Sequence, residues 1–213
     1  MKTLRSGLLY LFVGIIMFVI AAEAGYLFSV YLFDALIRPA GIMGALIVFG
    51  LLMLVSFVIS LYAIFGKIRP GIRQLSQIDG GFRICYTGTT LMIAGLLIVV
   101  SGLVEAAIIS AVEERPVIAA LGGSMLAFGV IIIGGIISLI GYILTFMLGA
   151  FRLHSRYQNS LYIAAGILFV VGILLTFLGL GGVLTAVGYV LMYMALGDTI
   201  NKLSTATTTP AQA

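Results

Sequence analysis

Glu23 and Glu105 are the residues whose type and position could do chemistry, because each is a carboxylate inside a long apolar run. In a membrane an ionisable side chain is costly and marks an ion or proton site by default. Together they would form an outward-facing cation or proton site. Alternatively, each is an interfacial carboxylate neutralised by Arg115 or Arg38. Helical spacing places Glu105 beside Gly102 and turns Glu23 away from Ala21, which sets them on different faces relative to the small residues of their helices.

Other chemistry has little to build on. His154 is the single histidine and Cys85 the single cysteine. That count excludes a bis-histidine haem site, an H-E-x-x-H zinc site, an internal disulfide and a thiolate cluster. The chain has no G-x-x-x-x-G-K-[ST] phosphate loop and no G-x-S-x-G elbow. Asp198 stands alone at a span end, without the second carboxylate of an aspartyl protease. No catalytic, cofactor-binding or metal-ligating set can be named, so the chain is expected not to be an enzyme. A second candidate site is basic: Lys67, Arg69, Arg73, Arg83, Arg152 and Arg156 could meet anionic headgroups or a protein partner. Topology alone also accounts for them.

The elements that must position these residues follow from composition. The 213 residues are 62% hydrophobic and only 8% charged, with a mean hydropathy of +1.29. Soluble domains carry about 25% charged residues, so the expected solvent is lipid. Long uncharged runs fit helices rather than the alternating strands of a barrel. The net charge of +4 then records cytoplasmic lysines and arginines, and nucleic acid is not an expected partner.

About 20 apolar residues cross the hydrocarbon core. On that rule the chain reads as an all-α polytopic bundle, one transmembrane domain over 1–203, with six spans near 7–33, 41–65, 86–112, 117–150, 161–178 and 182–197. Asp34, Arg38 and Pro39 make the first turn, and Glu113, Glu114, Arg115 and Pro116 another. Lys67 to Arg83 reads as a cytoplasmic loop with room for a short interfacial helix, since it holds Pro70, Gly80-Gly81 and most of the loop charge. Gly179-Leu180-Gly181-Gly182 splits the last apolar run; five spans with a re-entrant segment is the runner-up. Ser204 to Ala213 reads as a flexible tail.

The positive-inside rule is independent of these boundaries and agrees with them. With the N-terminus inside, the cytoplasm receives Lys2, Arg5, the six basic residues above and Lys202, leaving Arg38 and Arg115 outside. Both ends are then cytoplasmic. Ala22-Glu23-Ala24 offers a signal-cleavage alternative, but the apolar run continues past it, which suits an uncleaved anchor.

In lipid, helices associate through close packing of small residues. Small residues recur every seven positions at Gly7, Gly14 and Ala21; at Gly88, Gly95 and Gly102; at Ala165, Gly172 and Gly179; and at Gly181, Gly188 and Ala195. The fourth span has two partial stripes, Gly122 with Gly129 and Gly134 with Gly141, and is expected at the centre. Span hydroxyls such as Ser56, Ser101, Thr145 and Thr176 are expected to bond mostly to their own helix.

Gly81-Phe82-Arg83 with Tyr86-Thr87-Gly88-Thr89-Thr90-Leu91-Met92 resembles an archaeal membrane-protein family. The likeness continues at Phe151-Arg152-Leu153, at Arg156-Tyr157-Gln158-Asn159-Ser160-Leu161 and at Ala165-Gly166-Ile167-Leu168. That family is domain of unknown function 973. The resemblance implies an archaeal multi-pass protein and carries over no functional residue; the expected location is the cell membrane. The expected function is a non-enzymatic scaffold or accessory subunit, in contact with lipid and with protein partners or further copies of itself. The alternative is a small transporter or channel using Glu23 and Glu105.

Overall fold

The computed structural model describes residues 1–16, 51, 54–111, 117–178 and 181–208, and every regular element among them is a helix. In chain order α1 covers 2–16, α2 54–63, α3 Arg69–Ile78, α4 Arg83–Ala111, α5 Val117–Tyr142, α6 Leu148–Tyr157, α7 Ser160–Leu174 and α8 Gly181–Thr208. π turns at Ile64–Ile68 and Ile143–Met147 carry α2 into α3 and α5 into α6. Leu54–Ile78, Gly80–Ala106, Met125–Tyr157 and Gly181–Thr205 are long and apolar enough to cross a membrane; Ser160–Leu174 is apolar and shorter. Most of the first expected span, the turns at Asp34–Pro39 and Glu113–Pro116, and Gly179-Leu180 lie outside the described residues.

The stretch from Lys67 to Arg83, expected as a loop, is helical except at Asp79. Pro70 is the reason to expect a break, since it has no N–H to donate to the helix ladder. The π turn comes immediately before it. There the N–H of Arg69 reaches Ile64 O, five residues back, so the ladder is already shifted where proline enters. Beyond it α3 is amphipathic, burying Gly71, Ile72 and Leu75 while Arg73, Gln74 and Gln77 are exposed. Its charge belongs to one face of a helix.

The chain divides into two compact units, Ser76–Gly149 and Met1–Leu75 with Ala150–Ala213. In the first, α4 and α5 form an antiparallel hairpin. Gly88 meets Leu144 and Thr145, Gly95 meets Gly134 and Ser138, and Gly102 meets Ala127 and Ile131. A methyl group at Gly88 would come within 2.7 Å of Leu144 Cβ, and one at Gly141 would strike the backbone of Met92. The helices therefore touch backbone to backbone, as small-residue seams permit in lipid.

In the second unit α7 and α8 form another hairpin. Gly172 meets Gly181 and Thr185, and Gly188 meets the ring of Phe169. The two hairpins carry the same seam. Met92 and Gly95 facing Gly134, Ser138 and Gly141 correspond, at identical spacings, to Phe169 and Gly172 facing Gly181, Thr185 and Gly188. One helix-pairing solution is thus used twice in the chain. A third antiparallel pairing sets α1 against α2 and α3: Gly14 meets Ser60, Gly7 meets Ile68, and Leu4 meets Gly71. The hydroxyl of Ser56 donates to Gly14 O at 2.7 Å across this pair.

Two expectations are revised. The fourth span, expected at the centre, is the less buried: 17% of the most apolar window of Met125–Tyr157 is buried, against 44% for Gly181–Thr205. In its first stripe a Cβ at Gly129 would meet nothing within 4 Å among the described residues, while the surroundings of Gly122 lie outside them. And α8 runs on to Thr208, so Ser204 and Thr205 are helical, their hydroxyls bonded to Asn201 O at 2.8 and 2.9 Å.

Candidate functional site

Glu105 lies on α4 with its side chain exposed, while Gly102, one turn earlier, is buried in the seam with α5. The carboxylate therefore points away from the helix pairing that positions α4. Glu23 lies outside the described residues. Of the basic candidates, Lys67 and Arg69 are half-buried where the π turn meets α3, and Arg73 is exposed on α3. Arg83 is exposed at the start of α4, and Arg152 and Arg156 are exposed on α6. Lys67 Nζ stands 5.9 Å from the centroid of the Tyr62 ring, a cation–π distance.

The unit containing both chain ends places several of these cations at one end. Leu4 meets Gly71 of α3, Arg5 meets Gly197 of α8, and Thr199 meets Tyr162 in the first turn of α7. Together these contacts gather the start of α1, α3, the start of α7 and the later half of α8. Tyr162 and Thr199 are both buried, and their hydroxyls lie 2.9 Å apart. Thr199 gives its proton to Ala195 O at 2.9 Å, so the Tyr162 hydroxyl is the donor between them. This bond ties α7 to α8.

His154 has a local task. Its Nδ1 lies 3.0 Å from the carbonyl oxygen of Asn159, which only accepts, so Nδ1 carries the hydrogen. The same turn is closed by the N–H of Gln158 donating to His154 O at 2.8 Å, with Gln158 at φ 50°. Asn159 then caps α7, accepting from the N–H of Leu161 at 3.0 Å. One of the stretches that carried the family resemblance thus builds a helix-to-helix turn.

The residue that sequence reasoning passed over is Arg5, read there only as one of the inside cations. Its guanidinium lies over Tyr193, with Cζ 4.2 Å from the ring centroid. On α8 it also faces Gly197, where a methyl group would stand 3.0 Å from Nη2. Its Nε is buried without a hydrogen-bond partner among the described residues. Beside it opens a wholly apolar groove of about 290 Å³, lined by Leu8, Leu9 and Phe12 of α1 and by Val190, Tyr193 and Met194 of α8. The sequence gives no signal for this pairing, which joins its first turn to its last helix.

Among the described residues, no group of three or more His, Cys, Asp or Glu side chains could hold a metal ion. Long apolar helices closed by glycine seams, with large apolar side chains such as Leu97, Phe128 and Ile133 turned outward, point to a helical membrane protein. The family model described as protein of unknown function (DUF973) matches residues 1–213, and the chain belongs to that family. No curated protein and no solved structure matches it.

Proposed function

We propose that the protein is a six-span membrane protein with both ends in the cytoplasm, serving as a scaffold or accessory subunit of a larger membrane assembly. The antiparallel meeting of Arg5 with Gly197 supports the even number of crossings, since α1 begins where α8 is close to its end. The basic residues gathered at that end support its cytoplasmic side.

The observation that carries the functional reading is the outer face of α5. Phe128, Ile132 and Leu139 are exposed there and frame Gly135, where a Cβ would meet nothing within 4 Å. The neighbouring Gly134 is spent on the seam with α4; Gly135 closes no contact with the described residues. A glycine costs a helix interior about 1 kcal/mol relative to alanine, and in lipid its return is close approach by another helix. The partner that fits is an apolar helix of a second membrane protein.

Extraction of the tagged protein from native membranes in mild detergent, with mass spectrometry of the eluate, tests this. A stoichiometric second protein is the expected result. Recovery of the chain alone or as a homo-oligomer would instead favour the transporter reading.

A further inference from the structure

We propose that the groove between α1 and α8 holds one chain of an anionic phospholipid, with the phosphate seated against the guanidinium of Arg5. Three observations converge on this end of the groove. Arg5 is held in place from α8 by the Tyr193 ring and by Gly197. Its buried Nε has no partner among the described residues, and leaving a buried donor unsatisfied is unfavourable. Such a group calls for an acceptor that none of the described residues provides. A phosphate oxygen fits the guanidinium fork, which binds phosphate through paired N–H donors.

The groove supplies the other half of the ligand. Its lining is apolar throughout, which suits an alkyl chain and offers nothing to a polar solute. Tyr193 belongs to both halves: its ring stacks under the guanidinium and also walls the groove. From Arg5 to Phe12 is about 10 Å along the axis of α1, so charge leads into apolar surface over one and a half to two turns. That is the layout of an amphiphile whose headgroup lies at the membrane edge. Neither half depends on the scaffold reading or on the outer face of α5.

Native mass spectrometry of the full chain in mild detergent tests the assignment, with phosphatidylglycerol and phosphatidylcholine of matched chains as probes. Wild type is expected to retain phosphatidylglycerol at least about tenfold more strongly than phosphatidylcholine, the headgroup charge being read by an arginine. Arg5→Gln should bring phosphatidylglycerol down to the phosphatidylcholine level, and Arg5→Lys should restore part of the difference. Leu9→Trp fills the groove from its exposed rim, where Leu9 is 46% exposed. It should weaken retention of both lipids with Arg5 intact, and it decides the matter if Arg5→Gln fails to fold. Glycerol 3-phosphate should not compete. Undiminished phosphatidylglycerol retention in Leu9→Trp overturns the proposal. So does full displacement by glycerol 3-phosphate, which would mark a site for free phosphate, or retention of a copurifying acidic peptide in place of lipid.

Discussion

The guanidinium of Arg5 lies 4.2 Å above the ring of Tyr193, and this one contact joins the first turn of the chain to its last helix. It brings α1 and α8 together antiparallel within one compact unit. The start of α1 and the later half of α8 consequently lie at the same end of that unit.

A topology follows from this. Reporters of membrane side fused in turn to the N-terminus and to the C-terminus of the full chain should both report the cytoplasm. Reporters on opposite sides would mean an odd number of crossings, and the five-span arrangement would replace the six-span one.

The seam between α4 and α5 should tolerate no added volume. Gly95→Ala and Gly141→Ala each drive a methyl group into the backbone of the facing helix, and overpacking of this kind costs about 1–3 kcal/mol. Gly129→Ala, whose methyl meets nothing within 4 Å, is the matched control. Denaturation midpoints in one detergent should fall for the first two variants and hold or rise for the third, where alanine's better helix propensity meets no clash.

The turn between α6 and α7 contains a removable strain. Gln158 is the one described non-glycine residue with positive φ, at 50°, and a side chain in that region costs about 1–2 kcal/mol. Gln158→Gly relieves it, at the cost of the exposed bond from Gln158 Nε2 to Ser155 O and of greater freedom in the unfolded chain. The net expectation is a gain of about 0.5–1 kcal/mol, read as a higher denaturation midpoint.

Glu105 separates the scaffold from the transporter. Its exposed side chain faces away from the α4–α5 seam, so the scaffold reading expects Glu105→Gln to leave ion flux into proteoliposomes at the level of wild type. Flux present in wild type and abolished in the variant would make Glu105 a transport residue.

The sequence disclosed the seams and hid the partners. Gly88, Gly95 and Gly102 were legible as one stripe because in lipid close approach is the main thing helices gain, and only small residues permit it. Gly129 follows a seven-residue spacing as well and meets nothing among the described residues; a spacing rule cannot tell a glycine that packs from one that does not. The segment around Pro70 read as a loop because charge and proline are conspicuous, whereas a π turn leaves no mark in composition. Its amphipathic period, with Gly71, Ile72 and Leu75 on one side, was the better guide. Arg5 was visible as a cation, but its meeting with Tyr193 is tertiary and has no local signal.

The most direct test of the scaffold account is a photo-crosslinking residue placed at Ile132, on the exposed stripe beside Gly135, and activated in native membranes. The account predicts adducts to one other membrane protein, lost when Gly135→Trp blocks close approach. Adducts to lipid alone, unchanged by that substitution, would contradict it.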